Sequence, residues 1–169
     1  MAGNSLIRFE TSHGGFTVEL YPEEASVTVE NFLAYVDDGF FDGTIFHRIV
    51  PGFVIQGGGL DAQFGSKTTR EPIRNEAKNG LKNLRGTLSM ARTSAIDSAT
   101  SQFFVNLADN AFLDHSARDF GYAVFGRVTE GMDAIDKIAG VATGRRKGHQ
   151  DAPMEDVIIV SARRVETSA

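Results

Sequence analysis

Phe46-His47-Arg48-Ile49-Val50-Pro51-Gly52-Phe53-Val54-Ile55-Gln56-Gly57-Gly58-Gly59 is the stretch on which the reading of this chain turns. A second segment, Ser101-Gln102-Phe103-Phe104-Val105-Asn106, belongs with it. If both are strands, side chains alternate between two faces. Ile45, His47 and Ile49 then share one face of the first, and Phe46, Arg48 and Val50 the other. In the second, Phe103 and Val105 oppose Gln102 and Phe104. One face can serve a core. The other displays a cation, an amide and an aromatic ring, and Val54 and Gln56 add an apolar and a polar group. Taken singly, Arg48 reads equally well as a surface cation lying over apolar neighbours, and Gln56 and Gln102 as solvated amides.

Outward from this centre the pattern is regular. Leu6–Glu10 and Phe16–Leu20 alternate apolar and polar residues around Ser12-His13-Gly14-Gly15, which predicts a hairpin. Val29, Phe32, Leu33 and Val36 recur at helical spacing, and Gly39 stops them. Met132, Ile135, Ile138 and Ala139 form a second helical face, followed by Gly140. Val157–Val165 is a β-branched run that suits a closing strand. Arg145, Arg146 and Lys147 form the one compact basic cluster, in a Gly-flanked stretch that reads as a solvated loop. Two helices far apart among short strands, with 18 glycines for turns, point to a closed barrel with helices over its ends. The 169 residues suit one domain spanning 1–169.

Several chemistries drop out. With 17 basic and 22 acidic residues the net charge is −5, against a general nucleic-acid binder. Without cysteine there is no disulfide, thiol nucleophile or thiolate metal site. His13, His47, His115 and His149 are isolated in sequence and make no metal-ligand pair, so no metal is expected. Gly57, Gly59 and Ala62 fit a loose dinucleotide pattern, but residues 60 to 70 show no helical period to hold a pyrophosphate. A turn needing glycine is the better reading. The first ten residues hold no apolar run of signal-peptide length, and no run approaches a membrane span. The expectation is a cytoplasmic protein, without membrane or nucleic-acid partners.

The motif-bearing residues resemble the cyclophilin family of peptidyl-prolyl cis-trans isomerases. Phe46-His47-Arg48, Pro51-Gly52-Phe53 and Gln56-Gly57-Gly58 match its central motif. Gly86-Thr87-Leu88-Ser89-Met90-Ala91, Ser101-Gln102-Phe103-Phe104, Phe112-Leu113-Asp114 and Val124-Phe125-Gly126 continue the match in order, from Leu6 to Val165. The branch it looks most like is the bacterial cytoplasmic one, including His149-Gln150-Asp151 and Glu155–Ile159. The resemblance implies a mainly β fold, an eight-stranded antiparallel barrel capped by two α-helices, with a proline groove on its outer side. It implies Arg48 as the catalytic cation. Phe53, Val54, Phe104 and Leu113 would line the proline pocket, with Phe112 at its rim and Tyr122 beside it. Gln56 and Gln102 would orient Arg48 or the substrate backbone, and the backbone of Ala91 and Arg92 would hold the residue before proline. The implied partners are proline-containing polypeptides, bound by a monomer without a cofactor. His47 is expected to be structural. A binding module that captures proline segments without turnover would use the same groove, but binding alone does not demand the arginine.

The chain departs from many eukaryotic relatives in places. Phe112 stands where they carry Trp and lacks the indole N–H, so cyclosporin binding is expected to be weak. Tyr122 replaces His and Val54 replaces Met. Arg92 replaces Asn, and its side chain reads either as selecting acidic residues near proline or as a solvent-facing loop arginine. His115–Phe120 is extra length expected to form a surface loop before a Gly121-Tyr122 strand.

Overall fold

Strands β1 (Leu6–Thr11) and β2 (Gly14–Leu20) form the hairpin that their alternation and the Gly14-Gly15 break dictate, with Phe9 paired to Phe16. The structure, a computed structural model, describes residues 5–165. After β2 come α1 (Ser26–Asp37), β3 (Thr44–Val50), β4 (Val54–Asp61), β5 (Thr87–Met90), β6 (Phe103–Asn106), β7 (Val124–Glu130), α2 (Met132–Ala139), β8 (Thr143–Arg146), β9 (His149–Pro153) and β10 (Ile159–Arg164). Eight of the strands make one antiparallel sheet in the order β10-β1-β2-β7-β5-β6-β4-β3. Its two edges meet: Ile45 bridges Ile158, Phe46 N–H donates to the Val157 carbonyl and Gly43 N–H to that of Ile159. The curled sheet is thus a nearly closed barrel, which leaves little exposed edge.

Phenylalanine fills the interior. Phe9, Phe16, Phe32, Phe41, Phe46, Phe103 and Phe125 are fully buried. Phe9 stacks on Phe16 at 4.9 Å, and Phe32 meets Phe103 edge-on at 5.4 Å, separations at which ring pairs add to burial alone. Val29, Phe32, Tyr35 and Val36 of α1, and Ile135 and Ile138 of α2, join this one core. Helix α1 has no cap of its own. Glu76, far along the chain, accepts from the backbone N–H of Val27 (3.3 Å) and Thr28 (2.6 Å) and from the Thr28 hydroxyl, so a carboxylate meets the free donors and positive end of the helix.

Two local expectations need correction. Arg145 and Arg146 do not lie in a solvated loop. They end β8, which pairs with β9, and Arg146 is half-buried, bonded to Asp156 at 2.8 Å and set over the Phe64 ring at 5.1 Å. Ala152 of β9 is buried against Ile45, Leu60 and Phe64, so this hairpin covers part of the barrel's outside. Gly121 and Tyr122 are not in a strand; β7 starts at Val124. The loop at 115–120 is on the surface as expected, apart from its half-buried ends, His115 and Phe120; His115 Nδ1 lies 2.7 Å from the Phe120 carbonyl.

Candidate active site

The site is built by rows of paired residues across β3, β4, β6 and β5. Phe46 faces Gly57, Gly57 faces Phe103, and Phe103 faces Met90. In this row the side chains of Phe46, Phe103 and Met90 lie in the core. The next row is Arg48, Gln56, Phe104 and Ser89, on the outer wall. Then Ile49, Ile55, Val105 and Leu88 return to the core. Alternation across opposed residues therefore sorts a packed interior from a functional exterior.

One sequence-based assignment fails here. Phe46 and Arg48 do not share a face. Between the pairs Phe46–Gly57 and Arg48–Gln56, β3 advances two residues and β4 one, a bulge that flips the phase of the strand. Phe46 and Ile49 both point inward, and Arg48 is turned out beside Gln56. A second irregularity, over Gly58–Leu60 of β4, explains the glycine run. Gly58 has φ +93°, and a Cβ there would meet the Phe103 ring at 2.8 Å. These glycines serve backbone geometry, not a nucleotide.

Val54, Phe104 and Leu113 form a separate apolar cluster, with Phe53, Ala91 and Tyr122 packed against it. Together with Arg48, Gln56 and Arg92 they line a cavity of about 170 Å³. Arg48 Nη1 donates to Gln56 Oε1 at 3.4 Å, Gln56 Nε2 donates to Gln102 Oε1 at 3.0 Å, and the Arg48 guanidinium lies 5.9 Å from the Phe53 ring centre. Phe112 is 69 % exposed and stacks on Phe53 at 5.5 Å, which puts it at the mouth. Gln102 belongs to an adjoining polar cavity of about 150 Å³ with Thr93, Ser98 and Thr100, and Gln56, Ala91 and Arg92 wall both. The residues singled out from sequence thus converge on one surface.

Two features escaped the sequence. Beneath the pocket lies a buried polar network. The Ser89 hydroxyl (2.6 Å) and Asn106 Nδ2 (3.1 Å) donate to Asn83 Oδ1, and Asn110 Nδ2 donates to Asn106 Oδ1 (2.9 Å) and to the Phe53 carbonyl (3.0 Å). Asn83 also donates, through its backbone and its amide, to Asp114. This ties the Phe53 loop to the turn carrying Phe112 and Leu113. Ser89 and Asn106 inside otherwise apolar strands were the available signal. The other feature is Arg92. Its side chain is only 8 % exposed, so it is neither solvent-facing nor a free cation for acidic substrates.

His47 is the unpaired residue of the bulge, buried against His149 at 5.8 Å between ring centres, with Nδ1 unpartnered. Burial, helped by His149 and Arg48, pulls its pKa down to about 4, so it is a neutral ring at ordinary pH. Two of the histidines isolated in sequence are therefore neighbours in space, but no group of three metal-ligating side chains exists among the described residues. No helix among them is long and apolar enough to cross a membrane.

A nearly closed antiparallel barrel with an outer apolar pocket beside an arginine defines the class, and comparison with known proteins gives the family. The family described as cyclophilin type peptidyl-prolyl cis-trans isomerase/CLD matches residues 6–164. The chain is 56% identical over 153 residues to peptidyl-prolyl cis-trans isomerase A of Dickeya dadantii, covering 90% of this chain and 80% of that protein. It is 54% identical over 159 residues to peptidyl-prolyl cis-trans isomerase B of Escherichia coli, covering 92% and 97%. Among solved structures, a cyclophilin-type isomerase of Cryptosporidium parvum crystallised in the presence of the dipeptide Ala-Pro superposes with a TM-score of 0.79 at 26% identity, covering 96% of this chain and 99% of that one. The chain belongs to the cyclophilin-type peptidyl-prolyl cis-trans isomerases; it is an enzyme of that activity, and its substrates are proline-containing peptides.

Proposed function

We propose that the chain accelerates X-Pro rotation during protein folding by holding the proline ring in the cavity of Phe53, Val54, Phe104 and Leu113 while Arg48 donates to the proline nitrogen. The observation that carries this reading is the shared wall: Arg48 borders the same cavity as the Val54–Phe104–Leu113 cluster. A cavity of about 170 Å³ is small beside sites for drug-sized ligands, which suits a single ring.

The chemistry needs no covalent intermediate. An X-Pro amide resists twisting because its nitrogen lone pair is delocalised, with a barrier of ~18–20 kcal/mol. Twisting returns the pair to nitrogen, and a guanidinium donor then interacts better with the twisted state than with either planar form. Arginine holds its donors in a fixed fork and stays charged. An acceleration of ~10⁶ requires about 8 kcal/mol, and one hydrogen bond to a charged group supplies about 1.5–3. The remainder falls to the pre-formed apolar wall and to exclusion of water. Gln56, bonded to both Arg48 and Gln102, holds the guanidinium in place. The backbone of Ala91 and Arg92 receives the residue before proline. Phe112 offers cyclosporin an apolar face without an indole donor, so affinity for it is weak; a calorimetric titration showing tight binding contradicts this.

The reading is tested by following cis–trans exchange of a short Ala-Pro peptide with wild type and Gln56→Ala. Acceleration by wild type, reduced in the variant, is expected. Binding without acceleration by wild type makes the groove a capture module instead.

A further inference from the structure

The Arg92 side chain borders the proline cavity and reaches into the loop at 119–121. Its Nε donates to the Gly121 carbonyl at 3.1 Å, its Nη1 to the Thr93 carbonyl at 2.9 Å, and its Nη2 to Asp119 Oδ1 at 3.3 Å. The guanidinium plane also lies over the Tyr122 ring, 4.7 Å from its centre. Tyr122 in turn meets Phe104 edge-on at 5.6 Å. Each of its three nitrogens has an acceptor, and the route from the cation to the apolar pocket is one ring long.

The loop it grips is tightly constrained. Gly121 has φ +87°, and a Cβ there would lie 2.6 Å from His115 N and 2.8 Å from the Leu113 carbonyl. Tyr122 N–H donates to that same carbonyl at 2.9 Å. Leu113, Tyr122, Ala91 and Arg92 line one cavity. Arg92 is thus the link between the backbone that receives the residue before proline and the loop that carries the opposite wall.

We propose that the Arg92 side chain is a positioning residue for the isomerase: through its fork of bonds and its stacking on Tyr122 it fixes the width of the proline pocket. It acts by geometry and not as a charge that attracts acidic substrates. Lysine cannot replace it, because a point charge satisfies one acceptor at a time and does not stack as a plane. The inference rests on the proposed Arg48 site.

The test compares wild type, Arg92→Ala, Arg92→Lys and Arg48→Ala on Ala-Pro and Glu-Pro peptides, with melting midpoints measured alongside. The expected result is a KM raised about five- to tenfold in Arg92→Ala, with kcat changed far less, on both peptides alike. Arg92→Lys recovers little of it. If Arg92→Ala does not fold, the same KM rise in folded Arg92→Lys carries the test. A wild-type KM in folded Arg92 variants overturns the proposal, as does full rescue by lysine with a loss confined to Glu-Pro. A loss that merely follows the unfolded fraction also overturns it. Failure of the Arg48 reading is separate: it shows as Arg48→Ala retaining full turnover.

Discussion

Phe103 and Phe104 are neighbours in one strand, and both are buried, yet they belong to different regions of the molecule. Phe103 packs among Phe9, Phe32, Phe41 and Phe46, where rings touch on all sides. Phe104 faces outward onto Tyr122 and a cavity. The interior has spent its aromatic surface on close packing. The outer cluster of Val54, Phe104 and Leu113 faces an open cavity, where the proposed mechanism places the proline ring. The two regions share the same strands, so the barrel's rigidity is lent directly to the pocket wall.

Three substitutions probe this contrast. Phe103→Ala opens a void among the inner rings and is expected to cost about 3–5 kcal/mol, read from urea unfolding, while catalysis per folded molecule changes little. The pair His47 and His149 gives the next effect. His47 has its pKa pulled from 6.5 to about 4 in the folded state, so the unfolded chain binds the proton more readily. Stability is full above about pH 6.5 and falls as pH drops toward 4, by about 3 kcal/mol when fully expressed. In His47→Gln this part of the acid loss should vanish; an unchanged difference between pH 7 and pH 4.5 would reject it. Phe104→Ala comes third in stability, at about 2 kcal/mol, since it widens an open pocket without creating a closed void. Its larger effect is on KM for proline peptides, the reverse of Phe103→Ala. Smallest of all is the pH effect on turnover. The proposed mechanism transfers no proton, so kcat/KM should be flat between about pH 6 and 9, where a bell would point to acid–base chemistry.

Much of this was legible beforehand, for physical reasons. The Leu6–Leu20 hairpin and both helices follow from apolar period, because each buries one face in one core. The opposite fates of Phe103 and Phe104 follow from alternation within an unbroken strand. The same rule failed at Phe46 and Arg48, since a bulge adds a residue without marking itself in the local pattern. The Gly57–Gly59 run was the hint, lying opposite on β4. Cations packed against the fold were the other blind spot. Arg92 and Arg146 read as surface charges, and only the fold supplies the carbonyls, carboxylates and rings that satisfy them. The Asn83–Asn106–Asn110 network is likewise a product of loops meeting, invisible to any one segment.

The central claim is that Arg48 interacts more strongly with the twisted amide than with the planar one. Exchange spectroscopy on an Ala-Pro peptide with folded Arg48→Ala tests it most directly. Loss of one charged hydrogen bond predicts a fall of about 10- to 150-fold in the rate of isomerisation, with the urea midpoint close to wild type because no core void is made. Turnover at the wild-type rate by the folded variant would contradict it.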